Sequence, residues 1–219
     1  MTRIAFIHAT RVAIDPIDSA ARAIWPEAET ISILDEGLSV DRAATRNLTP
    51  DLSRRINDLA QYAAAAHADA VLFTCSAFGS AIEAADAAAA IPVMKPNEAM
   101  FDAAFGYGDR IAMIYTFRPA AQGLEEEFAT TASKRGRAAR LVSYFCDNAL
   151  EAKRRGNDAE HDRLIADTAA DIQDADVILL AQFSMARAAD LVRLATSLPV
   201  LTSPEAAMKE IRTRVEGGS

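Results

Sequence analysis

Cys75 stands where an apolar run gives way to an alanine-rich one. In ADAVLFTCSAFGSAIEAA, residues 68–85, Val71, Leu72, Phe73 and Thr74 read as a buried strand, and the residues from Ser76 as a helix. A thiol at that junction lies beside helix N–H groups without carbonyl partners, and these groups and the peptide dipoles favour negative charge. Thiols so placed titrate at roughly 3.5–7.5 instead of about 8.5. The same N–H groups can hold a carboxylate. As a thiolate Cys75 could serve as nucleophile or base, and as a thiol it could hand a proton to a carbanion. The competing reading is a small buried hydrophobe that ends a strand.

Other chemistry-bearing residues are sparse. The second cysteine, Cys146, lies far from Cys75 in the chain, and neither belongs to a CxxC or zinc spacing, so two free thiols are expected. His8, His67 and His161 form no metal motif. There is no GxGxxG and no GxxxxGK[ST], so nucleotide phosphates are poorly provided for. A net charge of −8 and a pI near 4.9 argue against a general nucleic-acid binder. No run of about 18 apolar residues exists to span a membrane, and MTRIAFIHAT leads straight into a strand without a signal-peptide pattern. A soluble cytoplasmic protein is the expectation. The terminal Glu-Gly-Gly-Ser carries no readable function.

The elements that must position Cys75 alternate between strand and helix. Arg3–Ala9 reads as a strand, Asp15-Pro16 as the start of a helix ending near Trp25, and Thr30–Leu34 as a second strand. Asp35–Asn47 reads as a polar loop or broken helix. Thr49-Pro50-Asp51 opens a helix with Leu52, Ile56, Leu59 and Ala63 on one face. Strands at Ala70–Thr74 and Ile91–Met94 flank a helix at Ser76–Ala90. Such alternation predicts a parallel sheet covered on both faces.

The second half repeats the first. RIAFIHAT from residue 3 recurs as RIAMIYTF from 110, ADAVLFTCSAFGSA from 68 as ADVILLAQFSMARA from 175, and IPVMKPNEA from 91 as LPVLTSPEA from 198, at one constant offset of 107. This predicts a tandem duplication, with strands at Ile111–Thr116, Ala139–Phe145, Val177–Ala181 and Pro199–Thr202. Pro119, Asn157 and Met185 mark helices after the first three. The expected architecture is α/β, with two pseudo-twofold-related lobes, each a four-stranded parallel sheet flanked by helices. Residues 1–97 make one lobe, onto which a C-terminal helix at 204–216 can pack, and 98–203 make the other, with a turn at FGYGD near the boundary. Ligands of such sheets bind beyond the carboxyl ends of the strands at a switch point. With strand order 2-1-3-4, those ends carry His8, Ala9, Thr10, Cys75, Ser76 and Ala77 in one copy, and Tyr115, Thr116, Phe117, Gln182, Phe183 and Ser184 in the other. The two sets are expected to face one cleft.

This layout resembles the aspartate/glutamate racemase superfamily, which includes hydantoin racemases, maleate isomerases and arylmalonate decarboxylases. The resemblance rests on TCSAFG at 74–79, LAQFSMA at 180–186, the strands before them and the repeat, and it covers nearly the whole chain. It implies proton transfer at carbon next to a carboxylate, without cofactor or metal. In the family's racemases two cysteines face each other. Cys75 matches the first, whereas Gln182 stands at the second, and a neutral amide has no useful basicity. Cys146, aligned with Ser39 and following an edge strand, does not replace it and reads as a structural thiol.

Three functional readings follow. In the first, Cys75 is the single catalytic thiol of a decarboxylase, another lyase or a one-base isomerase acting on a small carboxylate. In the second, His8 supplies the missing base of an amino-acid or hydantoin racemase or epimerase; the competing reading of His8 is a strand-end histidine bonded to backbone. In the third, the chain is a non-catalytic carboxylate-binding homologue. Backbone N–H groups of Ser76, Ala77 and Phe78, and of Phe183, Ser184 and Met185, could stabilise developing charge, although Ser76 and Ser184 read equally well as N-caps. Thr10, Tyr115 and Thr116 could donate hydroxyls, and Gln182 an amide, to the substrate. Lys95 and Arg187 read as solvent-exposed charge. Phe78, Phe117 and Phe183 hint at an apolar substrate tail. The expected partner is a small carboxylate, with no nucleic acid and no membrane; a homo-oligomer is compatible with the sequence.

Overall fold

The computed structural model describes residues 1–45 and 47–217. Arg46, within the polar stretch 35–47, and Gly218 and Ser219, at the end of the terminal Glu-Gly-Gly-Ser, lie outside the described residues. The chain divides into two units, Met1–Pro96 with Ala207–Ser219, and Asn97–Ala206.

The first unit contains β1 (Arg3–His8), α1 (Ile14–Ile24), β2 (Glu29–Leu34), α2 (Gly37–Ala43), α3 (Pro50–Ala65), β3 (Ala70–Phe73), α4 (Gly79–Ala88) and β4 (Val93–Met94). The second contains α5 (Glu98–Ala104), β5 (Arg110–Tyr115), α6 (Ala121–Lys134), β6 (Arg140–Phe145), α7 (Ala149–Arg154), α8 (Asp158–Ala170), β7 (Val177–Leu180), α9 (Ala189–Ala195) and β8 (Val200–Thr202). The last helix, α10 (Ser203–Gly217), starts in the second unit and from Ala207 belongs to the first. Each unit holds one all-parallel sheet, in the orders β2-β1-β3-β4 and β6-β5-β7-β8.

Strands covered on both faces need nearly continuous apolar sequence, and β3 and β7 are buried at every residue. In the first unit Ile7, Val71 and Phe73 pack with Leu52 and Ile56 of α3 and Ile82 of α4. In the second, Ile114, Ile178 and Leu180 meet Ile165 of α8 and Val192 of α9, while Met113 and Leu179 meet Phe101, Leu124 and Phe128 from α5 and α6. The repeat extends to the pairing register: Ile4 lies opposite Ala70, and Ile111 opposite Val177.

Local chemistry sets the helix ends. Thr49 caps α3 by accepting the Leu52 N–H at 3.2 Å, with Pro50 in the first turn, and Asn157 caps α8 by accepting the Glu160 N–H at 3.2 Å. Elsewhere the chain departs from its expected boundaries. α1 starts at Ile14, one residue before Asp15, after a 3-10 turn at Arg11–Ala13. The stretch after β2 contains α2, in line with a broken helix, and near the boundary of the units α5 ends at Ala104, just before the FGYGD turn. Residues 76–78 make a 3-10 turn, so α4 begins at Gly79 instead of Ser76. Strand register also corrects the alignment of Cys146. Its N–H donates to the Tyr115 carbonyl at 2.8 Å as the Asp35 N–H does to His8 at 3.0 Å, so its counterpart is Asp35 and not Ser39.

Candidate active site

Strands β1 and β3 are neighbours, so in the first unit His8, Thr10, Cys75, Ser76 and Ala77 gather at one sheet end. Cys75 occupies the N-cap position of the turn Ser76–Phe78 with an extended backbone, and its side chain packs against the core that contains Ile7 and Phe73. Thr10 holds the equivalent place before the turn Arg11–Ala13. The serine expected to cap is therefore inside its turn, and the thiol is at the cap.

Burial pushes the Cys75 thiol up from its ordinary range, against the opposing pull of the Ala77 N–H and the Arg42 guanidinium. This departs from the thiolate expected of a helix N-terminus. A three-residue 3-10 turn offers few aligned dipoles, and desolvation of the charged form outweighs them. At neutral pH Cys75 is a thiol that can give a proton.

His8 is fully buried. Its Nδ1 lies 2.9 Å from the Thr74 hydroxyl and its Nε2 3.2 Å from the Ser32 hydroxyl, and Phe6 packs edge-on at 6.4 Å between ring centroids. Burial lowers its pKa to about 4, so the ring is neutral at neutral pH. The hydrogen bonds of His8 go to the residue before Cys75, and to β2, instead of to the sulfur.

In the second unit Tyr115, Thr116, Gln182, Phe183 and Ser184 gather at the corresponding end of β5 and β7. The Thr116 backbone N–H and hydroxyl both donate to Gln182 Oε1, at 2.9 and 3.3 Å. That arrangement fixes which way the amide points, because a backbone N–H can only donate. The Gln182 Nε2 is buried and, among the described residues, has no hydrogen-bond partner. Buried polar groups are normally satisfied, so two idle N–H donors at a strand end indicate a place for an acceptor. Phe183 and Ser184 lie in the 3-10 turn Phe183–Ala188, which Gln182 precedes as N-cap, and both are buried. Tyr115 packs on Phe145 at 5.3 Å, and the Arg118 guanidinium lies 3.6 Å over the Phe145 ring.

Several flanking expectations change. Lys95 is buried and its Nζ lies 2.7 Å from Glu83, which corrects the solvent-exposed reading. Arg187 is exposed, and it bonds Asp162 at 2.9 Å and Asp158 at 2.5 Å, tying the 183–188 turn to α8. Phe78 and Phe183 are core side chains, which leaves Phe117 as the exposed one of the three. Cys146 is a buried free thiol. Arg42, which no sequence spacing singled out, reaches the Cys75 turn by donating from Nε to the Ala77 carbonyl at 3.1 Å. Among the described residues no helix is long and apolar enough to cross a membrane.

Known proteins share this architecture. An allantoin racemase from Klebsiella pneumoniae superposes with a TM-score of 0.74 at 18% identity, covering 100% of this chain and 89% of its own. A glutamate racemase from Bacillus anthracis gives 0.75 at 13% identity, covering 100% and 83%. Unliganded arylmalonate decarboxylase gives 0.65 at 18% identity, covering 100% and 94%. A comparison with curated protein sequences finds no match. The profile of the Asp/Glu/Hydantoin racemase family matches residues 7–211. With the duplicated parallel sheets and their strand-end residues, that match over nearly the full length establishes that the chain belongs to the Asp/Glu/hydantoin racemase family.

Proposed function

We propose that the protein is a cofactor-independent enzyme that delivers a proton to the carbon next to a carboxylate of a small acid. Cys75 is its single catalytic thiol, and the reaction is a decarboxylation, another lyase reaction or a one-base isomerisation. The observation that carries this reading is the unlike pair at equivalent strand ends: a protonated thiol after β3, and after β7 an amide whose oxygen is already held by Thr116.

In the decarboxylation form the bond from the α-carbon to the departing carboxyl breaks, and its electron pair moves into the remaining carboxylate as an enediolate. The Cys75 S–H bond then breaks as the proton bonds to carbon, and the resulting thiolate is reprotonated by water. Backbone N–H groups of the turn that follows Cys75 would bind the enediolate oxygens, where preorganised donors act most strongly. With a single thiol as proton donor, one configuration of product is expected. A racemase with His8 as second base draws less support, because both ring nitrogens are engaged by Thr74 and Ser32.

A panel of small carboxylates followed by NMR in deuterated water tests the proposal. The expected product carries one solvent deuterium in a single configuration, and Cys75→Ala and Cys75→Ser each lose nearly all turnover. Turnover retained in both variants would overturn it. The proton-donating form exists below the raised thiol pKa, so the rate is expected to fall on the alkaline side, above the ordinary cysteine range.

A further inference from the structure

We propose that Arg42 is a positioning residue for Cys75, holding the turn that carries the thiol and supplying a fixed positive charge beside it; this rests on Cys75 being the reactive group. The residue sits on α2, in the connection from β2 to α3, and its guanidinium has two anchors. Nε donates to the Ala77 carbonyl at 3.1 Å, and Nη1 donates to the Thr45 carbonyl at 2.9 Å. The N–H of the same Ala77 favours the charged form of Cys75, against the effect of burial. Ala77, two residues after the thiol, is thus held by the arginine through its carbonyl. The planar fork of arginine makes such double anchoring possible where lysine would give one loose contact.

The neighbouring carboxylates do not neutralise this charge. Asp35 and Asp41 each bond Arg55 at 2.5 Å, and Glu36 bonds Arg11 at 2.8 Å. Among the described residues Arg42 makes no ion pair, whereas the comparably sheltered Arg3 and Arg55 do. Arg42 is also the charged side chain that acts on the Cys75 sulfur, drawing its titration down while burial drives it up. An arginine held on two carbonyls, with no carboxylate of its own, is placed to stabilise the thiolate that exists between giving up a proton and regaining one.

Iodoacetamide labelling across pH, with Cys75 and Cys146 quantified as separate peptides, reads the Cys75 midpoint directly. Arg42→Gln is expected to raise that midpoint by about one pH unit or more, and Arg42→Lys, which keeps the charge, to leave it near the wild-type value. Both variants should show faster amide exchange in the 75–78 peptide, because both lose the fork. An unchanged midpoint in a folded Arg42→Gln protein overturns the proposal. If that variant melts below the assay temperature, Arg42→Lys decides: unchanged exchange at 75–78 overturns the positioning role. None of these readouts needs a substrate, so turnover surviving in Cys75→Ala would count against the catalytic reading alone.

Discussion

Burial holds the His8 imidazole near pKa 4, and the two hydroxyls bonded to it hold the ring between β2 and the end of β3. The unfolded chain takes up a proton as pH falls through about 6.5, whereas the folded chain resists until about 4. Below 6.5 the unfolded state therefore binds more protons, and stability is lost progressively as acid is added. Between pH 7 and pH 5 this single residue should contribute about 2 kcal/mol of that loss. Denaturant melts at the two pH values should show a correspondingly flatter pH dependence in His8→Gln; an unchanged slope would mean that His8 is accessible to protons in the native protein. At this scale the sequence located Cys75 at the end of β3 but not its titration, because the short turn after it and the burial that pushes the thiol up leave no local pattern. It was uninformative for Arg42, Lys95 and the Thr116–Gln182 bond. Those depend on which side chains meet across the fold, with partners 35, 12 and 66 residues away.

The strands are the most legible elements, since burial on both faces leaves an apolar signature that survives in both halves. Short helical pieces are less so: α2, α5 and α7 have six or seven residues each, too few for a helical period to stand out. The turn between α5 and β5 shows where local chemistry does speak. Gly108 has φ +155°, and a Cβ there would come within 2.2 Å of Asp176 Oδ2, the carboxylate that holds the Arg110 backbone N–H at 2.9 Å. Gly108→Ala should therefore destabilise the protein by about 1–3 kcal/mol, measured as a lowered unfolding midpoint in urea. At the start of α3, Thr49→Ala removes the cap on Leu52 and should cost about 1 kcal/mol by the same measurement.

The duplication was readable as a whole because identities recur at one offset, and the matched registers of β1–β3 and β5–β7 carry it into the backbone. The assignment of α10 from Ala207 to the first unit makes that unit depend on a distant part of the chain. Ala207, Met208 and Ile211 are fully buried, and Arg212 reaches back to donate to the Ile24 carbonyl at 2.8 Å, at the end of α1. Deleting residues 207–219 removes the burial of Met208 and Ile211, together about 3–6 kcal/mol, comparable to the whole stability of many domains. Limited proteolysis of the truncated chain should cut within β1–β4 while 97–206 resists; equal resistance of both would show that α10 is dispensable.

The same helix sets a timetable for synthesis. Everything between Asn97 and Ala206 leaves the ribosome before the segment that completes the first unit. The half made first must wait, incomplete, until α10 has been made. Growing chains are thus expected to recruit chaperones at residues 1–96 late into elongation, and to release them once α10 has emerged.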